Sequence, residues 1–388
     1  MIMRQYFVRL GLVGGMIGGL LVGSCAPQPE ATTESKSESR SGTNSGANSE
    51  PIAGQQVVAT TALLCDITTA IAGETIDLTC LMSAGQDPHT YRLKPSDRAA
   101  IESADLILHN GYDLMPGLAE LIKSEASGGT ATPAIVAVAE QAVPEPILFQ
   151  GHDHHHDMAD SPAEGSTTEP GEAHEEHEEH EGHEEHEEHE EHEEHETGDG
   201  ELVPDPHVWH DARNGKAMVS VITEQLTTLN PDRATDYSTK ATALQDRLDT
   251  LHVWMGQQIA TIPEGDRQLV TTHDAFGYLA AAYGLVQSSA LSGLSPNEKP
   301  SPATLAAIVE AIKTSGVPTI FAENTSSTTL IETVARDAGI TVAAQPLLVD
   351  SPDPAIAEGA DYPAMLAYNT CVIVNGLGGK CDRQSLGF

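Results

Sequence analysis

The chain has 388 residues, and its 58 Asp and Glu against 19 Lys and Arg give a formal net charge of −39 at pH 7. This charge argues against nucleic acid as a partner, since phosphates carry the same sign, and is compatible with attracting cations. The length leaves room for two domains of ordinary size.

The N-terminus has the layout of a secretory signal. Arg4 and Arg9 precede a short apolar stretch at 10–22, and small residues follow it just before Cys25. The stretch is too short to span a membrane as a helix. We therefore expect a signal peptide at residues 1–24, with an uncleaved anchor as the alternative.

Residues 25–54 contain few large apolar side chains, and this composition predicts a flexible tether. Over residues 55–229, short β-rich runs alternate with helical patterns, which predicts an N-terminal lobe built on a parallel sheet covered by helices. Its elements are strand 56–60, helix 63–72, strand 75–81, helix 94–103, strand 105–109, helix 114–123 and strand 134–138.

An acidic, histidine-rich tract at 151–200 interrupts this lobe. It holds twelve of the eighteen histidines and 21 Asp and Glu residues, but no Lys or Arg. Its negative charges repel one another, and this composition predicts a disordered insertion. Where a histidine occurs every third residue, successive rings are rotated by 300° on a helix, so no two-histidine face repeats. We expect loose, accessory metal binding in many registers, against the alternative of a solvated acidic loop. The histidines concerned are His152, His154, His155, His156, His174, His177, His180, His183, His186, His189, His192 and His195.

The longest helical signal, at 230–262, predicts a linking helix. Asn230 can cap it and Pro231 suits its first turn. Apolar or small residues then recur in steps of three and four. They are Tyr237, Ala241, Leu244, Leu248, Leu251, Met255 and Ile259. A single long helix is a stiff connection, so a site between two lobes joined by it should close only slightly.

Residues 263–388 repeat the alternation and predict a C-terminal lobe of the same class. Its elements are strand 268–272, helix 275–283, helix 302–314, strand 318–322, helix 328–338, strand 341–345 and helix 363–375. The expected fold class is therefore α/β, with two parallel-sheet lobes bridged by one long helix.

Four cysteines remain after Cys25, and three pairings are open to them. Local disulfides, Cys65 with Cys80 and Cys371 with Cys381, are favoured because each pair lies within one supersecondary unit. Cysteine-ligated zinc is the competing interpretation, but no C-x-x-C spacing supports it.

Two of three candidate histidines outside the tract, His89 and His273, follow predicted strands, where α/β proteins hold ligands. His89 and His207 each follow an Asp-Pro pair, and His273 comes directly after a predicted strand. Ligands collect beyond the carboxyl ends of strands in open α/β sheets, and proline restricts the preceding residue to extended geometry. His210 and His109 are expected to be packed, solvated or in the surroundings of the site rather than ligands.

The motifs Asp-Pro-His-Thr-Tyr at 87–91, Asp-Pro-His-Val-Trp at 205–209 and Thr-His-Asp-Ala-Phe-Gly-Tyr at 272–278 resemble those of the zinc-uptake solute-binding proteins of bacterial ABC transporters, the ZnuA-like proteins. The histidine tract and the small residues before Cys25 also fit that family. The resemblance extends from about residue 55 to the C-terminus, apart from the tract. It implies a metal in the cleft between two lobes, a lipid on the Cys25 thiol that anchors the protein to the membrane surface, and a membrane permease as partner. A periplasmic or otherwise extracytoplasmic monomer that is not an enzyme is expected.

Mapped by motif, the resemblance implies that His89 and His207 from the first lobe and His273 from the second bind Zn²⁺. Manganese-binding relatives have a carboxylate at the position of His273, and nitrogen there favours zinc. Asp350 matches the place of a fourth, carboxylate ligand, with water or a histidine of the tract as alternatives. We expect the affinity to fall below a pH of about 6, near the ordinary pKa of histidine.

The expected function is capture of Zn²⁺ and its delivery to an ABC transporter permease. A manganese or other divalent-metal protein of the same family is one alternative. A zinc-dependent hydrolase is another, since three histidines and a water also activate a nucleophile, with Asp274 as the candidate base. A surface metal buffer or adhesin is the third.

Overall fold

The structure, a computed structural model, describes residues 54–125, 133–150, 202–288, 301–325, 328–357 and 361–387. The expected signal peptide, Cys25, the tether up to residue 53 and the histidine tract lie outside these residues. Within the described ranges, no helix combines the length and the apolar character needed to cross a bilayer.

The N-terminal lobe is built on one parallel sheet. Its strands are β1 (Gln56–Ala59), β2 (Asp77–Cys80), β3 (Leu106–His109) and β4 (Ala134–Ala137). Its helices are α1 (Ala62–Ala72), α2 (Pro95–Glu102), α3 (Pro116–Glu125) and the short α4 (Val138–Ala142). The strands lie in the order β2-β1-β3-β4, and all pairs are parallel. The alternation of strands and helices predicted from the sequence is confirmed here.

Helix α1 begins where the sequence supplies a cap and an apolar face. The hydroxyl of Thr61 accepts a hydrogen bond from the backbone N–H of Leu64, which satisfies one of the unpaired donors of the first turn. The helix buries Leu63, Leu64, Ile67 and Ile71 against the sheet and its neighbours. A disulfide between its Cys65 and Cys80 ties α1 to the end of β2.

Two elements that flank the histidine tract were not among those predicted. Strands β5 (Leu148–Gln150) and β6 (Leu202–Pro204) form an antiparallel pair, with Phe149 opposite Val203. Helix α5 (Ala212–Leu229) follows, and the Asp211 carboxylate caps it by accepting from the Arg213 N–H. Gln150, the residue before the tract, therefore pairs with Leu202, the second residue after it, on adjacent strands.

The long helix α6 (Ala234–Ile259) lies within the predicted range and follows a short 3₁₀ turn at Pro231–Arg233. Every member of the apolar stripe named above is buried, and Trp254 joins it. The stripe packs against α1 and α5 of the N-terminal lobe.

The C-terminal lobe is assembled from short strands. They are β7 (Gln268–Val270), β8 (Val286–Ser288), β9 (Thr319–Ile320) and β10 (Thr341–Val342). The pairs β7–β8 and β9–β10 are parallel, and the Phe321 N–H donates to the Val270 carbonyl at 2.9 Å, which places β9 beside β7. The resulting order β8-β7-β9-β10 repeats the arrangement of the first sheet, and the fold class is confirmed.

Four helices cover this lobe. They are α7 (Gly277–Tyr283), α8 (Pro302–Ser315), α9 (Thr328–Ala338) and α10 (Tyr362–Gly376). The last of them packs on α6, so α6 contacts helices of both lobes. A disulfide joins Cys371 of α10 to Cys381, so both disulfides have the local pairing favoured from the sequence.

The two lobes share one apolar core and are tied by buried hydrogen bonds. The core around α6 continues from the first lobe into the second. The Trp209 indole N–H donates to the Val349 carbonyl at 2.9 Å, and the Tyr362 hydroxyl donates to the Trp209 carbonyl at 2.6 Å. A Cβ added to Gly215 of α5 would lie only 2.0 Å from the Tyr362 hydroxyl, so glycine permits this close approach.

We predict that Gly215→Ala lowers the free energy of unfolding by about 1–3 kcal/mol, because the methyl group forces the buried Tyr362 ring away from α5. Gly256→Ala in α6 is the matched control, since its nearest neighbour would lie 3.9 Å away. The control should raise the stability by up to about 1 kcal/mol through helix propensity. Urea unfolding measures both, and equal effects would contradict the proposed contact.

Candidate functional site

The three candidate histidines occupy loops that follow strands. His89 lies between β2 and α2, His207 lies three residues beyond the end of β6, and His273 lies three residues beyond the end of β7. Their ring nitrogens converge, and one nitrogen from each ring lies within 4.8 Å of the others. Three segments remote along the chain thus meet at one point.

Both Asp-Pro-His segments form the same local turn. The Asp87 carboxylate accepts from the His89 N–H at 2.8 Å, and the Asp205 carboxylate accepts from the His207 N–H at 2.9 Å. An aspartate that bonds the backbone two residues later makes a compact turn, and the proline between them fixes one of its dihedrals. This turn explains why the same tripeptide presents both histidines.

Asp205 also holds the His207 ring. The carboxylate oxygen that bonds the backbone lies 2.9 Å from Nδ1 of His207. Burial, assisted by the charge of His273, lowers the pKa of His207 well below its ordinary value, so the ring is neutral. A neutral ring that donates from Nδ1 has its lone pair on Nε2, the nitrogen that faces the other histidines.

Glu323 plays the corresponding part for His273. This buried carboxylate lies just beyond β9, beside the end of β7, at the point where the strand order of the second sheet reverses. It accepts from the His273 N–H at 3.0 Å and lies 2.5 Å from Nδ1. Burial opposes a charge on His273, but the carboxylates of Glu323, Asp350 and Asp87 outweigh it and raise the pKa to about 9.

The separation of two of the ligand nitrogens suits a small tetrahedral ion. Nε2 of His89 and Nε2 of His207 lie 3.2 Å apart. Two nitrogens bound to zinc at 2.0–2.1 Å in a tetrahedron lie about 3.3 Å apart. Nε2 of His273 is buried and has no hydrogen-bond partner among the described residues, so it is available as a ligand.

Asp350 is buried beside this cluster but is not part of the group whose atoms lie within 4.8 Å of one another. Neither of its carboxylate oxygens has a hydrogen-bond partner within the described part of the chain. Burial raises the pKa of Asp350 to about 8; the charge of His273 opposes this shift, while Asp87 and Glu323 add to it. A buried carboxylate without a partner is costly, and a cation would relieve that cost.

Among the described residues, the remaining histidines lie outside the cluster. His210 is fully buried, with its ring 4.3 Å from that of Phe276, and burial lowers its pKa well below the ordinary value. His252 of α6 lies 3.0 Å from the Tyr283 hydroxyl through Nδ1. Burial lowers the pKa of His109, at the end of β3.

For Asp205 the sequence predicts only extended backbone geometry, because Pro206 follows it. The contact of Asp205 with the His207 ring was not predicted. The signal was present, because an Asp two residues before a His can reach its ring nitrogen as well as its backbone. Glu323 likewise contacts both the backbone N–H and the ring of its histidine, His273.

Known proteins resemble the chain in sequence over most of its length. The family model described as "Zinc-uptake complex component A periplasmic" matches residues 57–376. The manganese-binding lipoprotein MntA of Halalkalibacterium halodurans is 26% identical over 331 residues, covering 85% of this chain and 90% of MntA. The manganese ABC transporter substrate-binding lipoprotein PsaA of Streptococcus pneumoniae is 27% identical over 326 residues, covering 83% of this chain and 89% of PsaA.

Solved structures resemble it in fold. The periplasmic zinc-binding protein TroA from Treponema pallidum has a TM-score of 0.64 and 24% identity, covering 84% of this chain and 99% of TroA. The Mn-bound periplasmic metal-binding protein from Candidatus Liberibacter asiaticus has a TM-score of 0.61 and 22% identity, covering 83% and 99%.

The resemblance inferred from the three histidine motifs is thus confirmed. The relatives are substrate-binding components of metal transporters, and the protein is accordingly extracytoplasmic. Because the family model matches well over half of its length, the chain belongs to the family of periplasmic metal-binding components that is named for zinc uptake.

Proposed function

We propose that the chain captures Zn²⁺ outside the cytoplasmic membrane and delivers it to the permease of an ABC transporter. The observation that carries the proposal is the convergence of nitrogens from His89, His207 and His273 within 4.8 Å of one another. Imidazole is a favoured ligand of zinc, while manganese prefers oxygen. Three nitrogens and one carboxylate therefore favour zinc.

In this proposal the three imidazoles bind the ion through nitrogens of neutral rings, and the Asp350 carboxylate takes the fourth position. Asp205 and Glu323 orient the ligand rings, because each contacts the Nδ1 atom of one ring and leaves its Nε2 free to coordinate. Cys25 carries the lipid that keeps the protein at the membrane surface, and the protein works as a monomer.

A manganese-binding protein is the second candidate, and a specific observation favours it. MntA and PsaA are described as manganese proteins. Affinity for a given nitrogen site rises from manganese to zinc in general, so tighter binding of Zn²⁺ is expected under both candidates, and only a preference for Mn²⁺ separates them.

We predict that His89→Ala, His207→Ala and His273→Ala each weaken zinc binding by more than the roughly 10–100-fold typical of changes outside the coordination sphere. Asp350→Asn should also weaken it by more than this if Asp350 is the fourth ligand, and His252→Ala, outside the cluster, should leave it unchanged. Chelator competition with Zn²⁺ and Mn²⁺ measures these affinities. Tighter binding of Mn²⁺ by the unaltered protein would favour the manganese candidate.

We predict that zinc binding releases between one and two protons per ion at pH 7. His273, with its pKa raised to about 9, must lose its proton before Nε2 can coordinate, and Asp350, with its pKa raised to about 8, must lose one to bind as a carboxylate. The affinity should therefore fall as the pH falls below about 9, rather than only below the ordinary histidine value near 6.

Calorimetry in buffers of different ionisation enthalpy counts these protons. Asp350→Asn should reduce the number by close to one if Asp350 is the fourth ligand. Binding that releases no proton between pH 7 and pH 8 would contradict both the ligand set and the charge on His273.

We predict that the tight site survives removal of the histidine tract. Gln150 and Leu202 are paired residues of β5 and β6, so a four-residue Gly/Asn turn can replace 151–201 without changing the strands. Calorimetric titration should then show one tight zinc site and the loss of several weak ones. Loss of the tight site would show that the tract supplies a ligand.

A further inference from the structure

The motif around His273 contains two residues for which metal binding gives no role, Gly277 and Tyr278. They are the first two residues of α7 in the C-terminal lobe. Both contact Asp205, which belongs to the N-terminal lobe and holds the His207 ring.

Gly277 makes room for the Asp205 side chain. A Cβ added at Gly277 would lie 2.8 Å from Oδ2 of Asp205, closer than such atoms approach in proteins. The other oxygen of the same carboxylate contacts His207 through its backbone N–H and Nδ1. Asp205 therefore lies between the first turn of α7 and the His207 ring.

Tyr278 holds the backbone of Asp205. Its hydroxyl donates to the Asp205 carbonyl at 3.2 Å and accepts from the Ile147 N–H at 3.0 Å. The Asp205 N–H donates in turn to the Ile147 carbonyl at 2.8 Å. The hydroxyl is the link that joins α7 to both chain segments at the base of the β5–β6 hairpin. Burial raises the pKa of Tyr278 to about 12, so this hydroxyl keeps its proton at any physiological pH.

We propose that Gly277 and Tyr278 are positioning residues that fix the His207 ring for the metal from the opposite lobe. His273 lies only four residues before Gly277 in the same segment. One segment of the C-terminal lobe thus supplies one ligand and, through Asp205, orients another ligand from the N-terminal lobe. This role rests on the proposed metal site. The segment that holds Gly277 and Tyr278 positions the rings of His207 and His273 before an ion binds.

Tyr278→Phe tests the role, because it removes only the hydroxyl. Tyr283→Phe is the matched control: Tyr283 is also a buried tyrosine of α7, and its hydroxyl contacts the Ala212 N–H and Nδ1 of His252 instead. Both variants should lose stability. Only Tyr278→Phe should weaken zinc binding, by up to roughly tenfold, the low end of the effect of losing a group that contacts a ligand, because Tyr278 acts on the His207 ring through Asp205.

A double-mutant comparison separates positioning from general weakening. Tyr278→Phe should cost little further zinc affinity in a His207→Ala background, because the ring that it orients is gone, but its full cost should persist in a His89→Ala background. The visible spectrum of bound Co²⁺ gives a second readout and should change for Tyr278→Phe and not for Tyr283→Phe. Gly277→Ala should shift the same spectrum by displacing Asp205.

Equal zinc affinities for Tyr278→Phe and Tyr283→Phe, or an undiminished loss in the His207→Ala background, would overturn the positioning role. Absence of tight zinc binding in the unaltered protein would instead overturn the proposed function. The two failures are therefore distinguishable.

Discussion

The site depends on the apolar core that both lobes share along α6. Burying one large aliphatic side chain stabilises a protein by about 1.5–3 kcal/mol, and the buried stripe of α6 includes three leucines, Met255 and Ile259. That core, together with the buried hydrogen bonds of Trp209, holds the lobes in one relation. Folding therefore brings the three imidazoles together before the ion binds. Less of the binding free energy is then lost in ordering them.

The buried carboxylates around the cluster favour binding of a cation. Asp205, Glu323 and Asp350 are all buried carboxylates close to the rings. Burial raises the pKa of Asp205 to about 7, despite the opposing hydrogen bond from the His207 backbone and the charge of His273. Burying these carboxylates is costly in a medium of low dielectric, and a divalent cation bound among them would offset that cost.

Much of the fold could be predicted from the sequence because the patterns are local. The strand–helix alternation and the stripe of α6 depend on spacing alone, and the three histidines could be found because each lies in a recognisable motif. The pairing of β5 with β6 could not be predicted, since two three-residue strands separated by the tract leave no local signal. Helix α5 was missed although its buried residues Met218, Val219, Ile222 and Leu226 have helical spacing. The contacts of Asp205 with α7 depend on tertiary packing, which no spacing reveals.

The β5–β6 hairpin has an evolutionary consequence. Because the chain leaves and re-enters the lobe on adjacent strands, natural selection can lengthen or shorten what lies between them without disturbing the strand that leads to His207. For an unstructured connection, each doubling of length changes the closure free energy by only about 0.6 kcal/mol. Residues 151–201 can therefore change in length and composition without moving β6, while Asp205 keeps its contact with the His207 ring.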